Sequence, residues 1–227
     1  MKQHCFSGMI TAHAGCENTA PNSAENVRAA LDTGCEALEL DVRIADNTVY
    51  FSHDALYGAA LAHAYTLDEL LRDIAGTDIK INCDIKQWEA FSPIFLQFQK
   101  QRLLSRMILT GLFPADFCDP DRKAAVYLNL NNYIQQDDIA QHPQAAAEKT
   151  LALAKDYGTR VNLVGFNLPY SWASKHLTDT LHAHGLEVSV WTPSDIASLS
   201  AMMALDVDNI TTRTPLLALR LRQNFRR

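Results

Sequence analysis

The amino-acid sequence predicts an α/β fold, a (β/α)8 TIM-type barrel with a small extra hairpin after its second strand. Three observations predict it. Short β-like runs alternate with helix-like runs from one end to the other, eight such pairs fit within 227 residues, and polar residues recur where strands end. A chain of this length is enough for one large domain, so a single barrel over residues 1–227 is expected.

Taken in order, the barrel strands are read at 9–13, 37–43, 80–86, 106–111, 124–131, 162–168, 187–192 and 208–212, with 49–54 as an extra strand after the second. Helical patterns occupy 23–34, 66–75, 88–101, about 114–119, 143–157, 172–184, 194–204 and 214–224. Caps support several of these. Ser23 opens a helical run with Asn26 three residues on, and Thr66 followed by Glu69 makes a capping box. Gly34, Gly76, Gly158 and Gly185 each stand where a helix should stop. No linker, repeat or low-complexity segment interrupts the pattern.

Composition excludes several function classes. A net charge of −6 argues against nucleic acid as a partner, which calls for a basic face. No apolar run is long enough to span a bilayer. "MKQHCFSGMITAHAG" has no long apolar signal core, so export through such a segment is not expected. Five scattered cysteines (Cys5, Cys16, Cys35, Cys83 and Cys118) form no zinc-type pair, and the set reads as reduced and cytoplasmic. Cys35 and Cys83 read as small core residues. Cys16 follows a loop glycine near the site, but no motif sets a base beside it.

Functional groups of a barrel collect at the C-terminal ends of its strands. The first strand ends at His13. The second, "ALELDVR", places Glu39, Asp41 and Arg43 on one face and Leu38, Leu40 and Val42 on the other. The following hairpin ends at His53, the third barrel strand at Asp84 and Lys86, the fifth at Asn129 and Asn131, and the seventh at Trp191. Three carboxylates, Glu39, Asp41 and Asp84, make an oxygen-rich set suited to a hard cation such as Mg²⁺ or Ca²⁺ rather than zinc. His13 and His53 suit acid and base roles because imidazole titrates near neutrality. Lys86 and Arg43 add positive charge suited to an anionic substrate. Read singly, the same residues have plainer explanations: salt bridges for the acids and Lys86, a structural hydrogen bond for each histidine, core packing for Trp191. His63, His142, His176, His182 and His184 read as surface residues, and "RLRQNFRR" as a solvated helix end.

Together "ITAHAG", "NSAENVRAALDTGCEALELDVR", "VYFSHDALYG", "INCDIK", "VSVWTPSD" and "NITTRTP", in this order, resemble the glycerophosphodiester phosphodiesterase family, over residues 10–215. The resemblance implies a metal-dependent barrel that hydrolyses a small-molecule phosphodiester to an alcohol and sn-glycerol 3-phosphate. It makes His13 and His53 the acid/base pair, Glu39 and Asp41 metal ligands, Lys86 the motif lysine and Trp191 a substrate-site residue. Asp84 stands where the family usually has Glu, one methylene longer, and the Asp-x-Lys arrangement also resembles the sphingomyelinase D branch of the superfamily.

Two departures stand out. The family's His-Arg-Gly is here His13-Ala14-Gly15, and the glutamate of its Pro-Glu-Asn-Thr is missing around Ala20-Pro21-Asn22-Ser23. Arg43 is the expected replacement for the lost positive charge. The loop after His53 is reduced to "ALYGAALAHAYT". Two alternatives follow: a lysophospholipid or sphingolipid phosphodiesterase with the same chemistry, and a metal-binding barrel impaired in catalysis.

Overall fold

The computed structural model describes residues 6–114, 116–119 and 121–225. Its strands are β1 (Met9–Ala12), β2 (Ala37–Ala45), β3 (Thr48–Phe51), β4 (Lys80–Ile85), β5 (Met107–Gly111), β6 (Ala125–Asn129), β7 (Leu163–Pro169), β8 (Glu187–Trp191) and β9 (Asn209–Thr212). They form one sheet in the order β1-β9-β8-β7-β6-β5-β4-β2-β3, and a further β1–β2 pairing closes eight parallel strands into a barrel. β3 lies outside that ring, antiparallel to the end of β2, which is the expected hairpin.

The helices are α1 (Ala24–Thr33), α2 (Gly58–Ala62), α3 (Leu67–Asp73), α4 (Phe91–Lys100), α5 (Gln136–Gln141), α6 (Pro143–Tyr157), α7 (Lys175–Ala183), α8 (Ile196–Leu205) and α9 (Pro215–Asn224). Their ends follow from local chemistry. The Ser23 hydroxyl accepts the Asn26 N–H to start α1, and Gly34 ends it at a φ of 74°, which costs a residue without Cβ nothing. Thr66 and Glu69 form the capping box of α3. Ser174 caps α7, so the helix starts at Lys175 and only a short 3-10 turn precedes it at Tyr170–Trp172.

Period-two alternation sets the interior apart from the packing face. Leu38, Leu40 and Val42 are fully buried in the apolar core shared with Val27 and Ala30 of α1. Neighbouring strands then stand in register, with Glu39 opposite Asn82 and Asp41 opposite Asp84.

The structure corrects the helix expected at about 114–119: the described residues there form no helix, and residue 115 lies outside them. Phe113 and Phe117 instead pack edge-on against Phe91 of α4, and Asp119 accepts the N–H groups of Lys123 and Ala124. Aromatic burial on α4 outweighs the weak helical pattern of the segment. Two short helices, α2 and α5, were not anticipated. Cys5 and the last two residues of "RLRQNFRR" lie outside the described residues. Among the described residues no helix is long and apolar enough to cross a membrane.

Candidate active site

A cavity of about 460 Å³ opens where the barrel strands end, and its walls include His13, Glu39, Asp41, His53, Asp84, Lys86 and Trp191. Seven of the eight site residues expected from sequence thus converge on one space. Arg43 does not line it. β2 continues past the barrel rim as a hairpin partner of β3, and the Arg43 guanidinium donates across it to the His53 carbonyl, at 2.9 Å from Nε and 2.6 Å from Nη2. Arg43 steadies the turn that carries His53, and the expectation that it supplies charge to the cavity is corrected.

One oxygen each of Glu39, Asp41 and Asp84 lies within 4.8 Å of the others. Glu39 and Asp41 are buried, which is costly for carboxylates unless positive charge or hydrogen bonds compensate. The Ala14 N–H donates to Glu39 Oε2 at 2.9 Å. Lys86 Nζ lies 3.0 Å from Asp41 Oδ1 and 2.7 Å from Asp84 Oδ2. Asn22 embraces Asp41, donating from Nδ2 to Oδ2 at 2.8 Å and accepting the Asp41 N–H on Oδ1 at 2.9 Å. Asp84 Oδ1 is buried with no hydrogen-bond partner. Burial and the nearby Asp41 and Asp84 charges push the Glu39 carboxyl well above its ordinary range. Burial alone would lower the Lys86 ammonium, but Asp84 and Asp41 outweigh it and hold it above its ordinary value. A crowded trio of acids with an open oxygen fits a hard divalent cation.

The two histidines differ in setting. His13 is partly buried; its backbone N–H donates to the Thr212 carbonyl at 2.8 Å and its Nδ1 lies 2.9 Å from the Ala14 carbonyl. That contact assigns the proton to Nδ1 and leaves Nε2 as an acceptor. Burial lowers its pKa below 6.5, with the Arg213 charge acting in the same direction and the Ala14 carbonyl, Asp41 and Asp84 opposing. His53 is exposed, and its Nδ1 lies 3.0 Å from Asp54 Oδ1, which leaves Nε2 free for a ligand.

Several lining groups were not read from the sequence. Gly111 ends β5 with a φ of 87°, and a Cβ there would stand 2.5 Å from Asp84 Oδ1, so only glycine lets the backbone approach this carboxylate. Asn167 and Arg213 also line the cavity, beside Asn129 and Asn131, which the sequence already set at the end of the fifth barrel strand. Asn131 Oδ1 and Trp191 Nε1 are buried without partners, an acceptor and a donor available to a ligand. Asn26 Oδ1 accepts the Gly15 and Cys16 N–H groups and so shapes the loop after His13. Cys16 is buried, and burial followed by the Cys35 and Glu17 charges pushes its thiol up to about 12, which removes it as a nucleophile.

No protein-family model matches the sequence, and no curated protein is similar to it in sequence. Solved structures are similar in fold. A candidate glycerophosphoryl diester phosphodiesterase from Agrobacterium tumefaciens superposes with a TM-score of 0.77 at 19% identity, over 96% of this chain and 98% of that one. A glycerophosphodiester phosphodiesterase from Parabacteroides distasonis gives 0.73 at 18% identity, over 97% and 99%. An Oleispira antarctica phosphodiesterase, solved with the product sn-glycerol-3-phosphate, gives 0.66 at 15% identity, over 96% and 97%. At these identities the likeness carries the TIM-barrel fold of such phosphodiesterases.

Proposed function

We propose that this chain is a single phosphodiesterase barrel over residues 1–227 that hydrolyses glycerophosphodiesters to an alcohol and sn-glycerol 3-phosphate. The observation that carries the reading is the convergence of His13 and His53 with three carboxylates and Lys86 on one cavity at the strand ends. The fold shared with glycerophosphodiester phosphodiesterases supports it.

Glu39, Asp41 and Asp84 would hold Mg²⁺ or Ca²⁺, which when bound supplies positive charge to a phosphate oxygen. His13, kept neutral by burial and with Nε2 as acceptor, removes the proton from the attacking hydroxyl, of water or of the substrate's own glycerol. The new P–O bond forms as the bond to the departing alkoxide breaks. His53 at the open mouth protonates that alkoxide through Nε2. Lys86 holds the second and third carboxylates in place, while Trp191 Nε1 donates to the substrate. Cys16, Cys35, Cys83 and Cys118 are free thiols, in keeping with the cytoplasm as the site of action.

The test is hydrolysis of glycerophosphocholine and glycerophosphoethanolamine with Mg²⁺, with Ca²⁺ and with chelator, beside His13→Ala. Release of glycerol 3-phosphate should require the metal and fall by about 10²- to 10⁴-fold in the variant. A transient cyclic phosphate would assign the attack to the substrate's hydroxyl. Metal binding without turnover of any diester would leave the catalytically impaired barrel.

One observation favours a second reading, a lysophospholipid or sphingolipid phosphodiesterase. Tyr57, Trp88, Leu112 and Tyr170 are exposed in segments that follow β3, β4, β5 and β7, and Leu112 lines the cavity itself. Apolar groups beside the mouth suit an acyl chain. Faster turnover of micellar lysophosphatidylcholine than of glycerophosphocholine, lost selectively in Trp88→Ser, would favour it.

A further inference from the structure

Lys86 and Arg213 both line the cavity, and they differ in what they already hold. Lys86 is engaged by Asp41 at 3.0 Å and Asp84 at 2.7 Å. The Arg213 guanidinium has no hydrogen bond or ion pair among the described residues; only its backbone is tied. Its N–H donates to Ser194 Oγ at 3.3 Å and its carbonyl accepts the Glu17 N–H at 2.9 Å. Those bonds fix the residue where β9 leaves the barrel, one position past Thr212, whose carbonyl holds the His13 backbone. Its charge reaches His13, where it adds to the effect of burial.

Charge balance shows what such a cation is for. Three carboxylates, a divalent cation and the Lys86 ammonium cancel, so a phosphate arriving at the filled site meets no net attraction from them. Ala14, beside His13, is buried and brings no cation: its N–H donates to Glu39 and its carbonyl meets His13 Nδ1. Arg43 is committed to the His53 carbonyl. Among the described residues the remaining cationic side chain facing the cavity is Arg213, and a guanidinium matches two phosphate oxygens with two parallel N–H donors.

We propose that Arg213 is a substrate-binding residue that receives the phosphate at the cavity mouth by pairing with its non-bridging oxygens. The inference rests on the phosphodiester reading of the site, and the experiment separates the two. Binding of sn-glycerol 3-phosphate, inorganic phosphate and glycerol is measured by calorimetry in Mg²⁺ on the whole protein, Arg213→Gln, Arg213→Lys and Arg220→Gln. Arg220 lies exposed on α9 and makes the same change of charge away from the cavity. Arg213→Gln should weaken both phosphate ligands by about ten- to a hundredfold, with Lys intermediate. Glycerol binding and the thermal midpoint should not move, and Arg220→Gln should match the unaltered protein. On a diester, KM should rise more than kcat falls.

Phosphate binding that depends on Arg213 without diester cleavage would sink the proposed reaction and uphold this assignment. Diester cleavage with Arg213→Gln equal to the unaltered protein in KM and phosphate affinity would sink this assignment alone. An unaltered protein that binds neither phosphate ligand overturns it as well.

Discussion

The barrel interior keeps polar groups on both sides: a cluster of charges on one, a chain of neutral hydrogen-bonded side chains along the other. The β1, β2 and β4 side carries His13, Glu39, Asp41, Asp84 and Lys86. On the β6 to β9 side, Asn129, Asn167, Ser189 and Asn209 form one chain of hydrogen bonds that ends on Thr11 Oγ1, each link 2.7–2.9 Å long. The neutral chain satisfies itself. The charged cluster does not: Asp84 Oδ1 has no partner and Glu39 is held above its ordinary range. Polar groups that complete one another serve the fold, whereas groups left incomplete await a ligand.

The largest effect expected from this contrast is on the charged side. Glu39→Gln keeps an oxygen for the Ala14 N–H but removes a carboxylate from the trio, so kcat/KM should fall by at least about a hundredfold. Stability in chelator should move the other way. A carboxyl whose folded pKa is raised above 4.5 costs the folded state stability as pH rises through that value toward the folded one. Glu39→Gln lacks this slope, and its thermal midpoint at pH 7 should lie a few degrees higher, since about 1 kcal/mol shifts Tm by roughly 2–4 °C at this size. Thermal unfolding in chelator from pH 4.5 to 8 measures both. A variant less stable than the parent there would mean that the trio is structural.

The neutral side should respond in the opposite sense. Asn209 is buried and does not line the cavity, and it accepts from Thr11 Oγ1 while donating to Ser189 Oγ. Asn209→Leu strands the Thr11 hydroxyl and takes a donor from Ser189 Oγ, for a loss of about 1–3 kcal/mol in urea unfolding. Activity per folded molecule should stay within about threefold of the parent. Lost activity at unchanged stability would dissolve the distinction between the two sides.

How much of this was legible in the sequence depends on range. The barrel strands and the site carboxylates show themselves because strand alternation is local: Glu39 and Asp41 are two apart, as are Asp84 and Lys86. Arg43 obeys the same alternation and was misread for that reason, because the sequence does not mark where β2 passes the barrel rim. The segment 114–119 was misread because Phe113 and Phe117 answer to Phe91, more than 20 residues away. Asn22 on Asp41, and the need for Gly111 beside Asp84, exist only once distant elements meet. Arg213 had a signal that went unused. It is the first residue past the last strand, the position that marked His13 after β1.

The smallest effect concerns proton affinity, and it sharpens the contrast within the charged side. Burial and the Arg213 charge hold the His13 pKa below 6.5, against the Ala14 carbonyl, Asp41 and Asp84. As the base, His13 acts in its neutral form, so kcat/KM for a glycerophosphodiester should fall with acidification at a midpoint below 6.5. Arg213→Gln removes one of the two lowering influences and should raise that midpoint, while Asn209→Leu should leave it in place. Rate profiles between pH 4.5 and 8 on the three proteins would decide it. A midpoint at or above 6.5 in the parent would take the base role from His13, because it would mean that burial and the Arg213 charge do not outweigh the Ala14 carbonyl, Asp41 and Asp84.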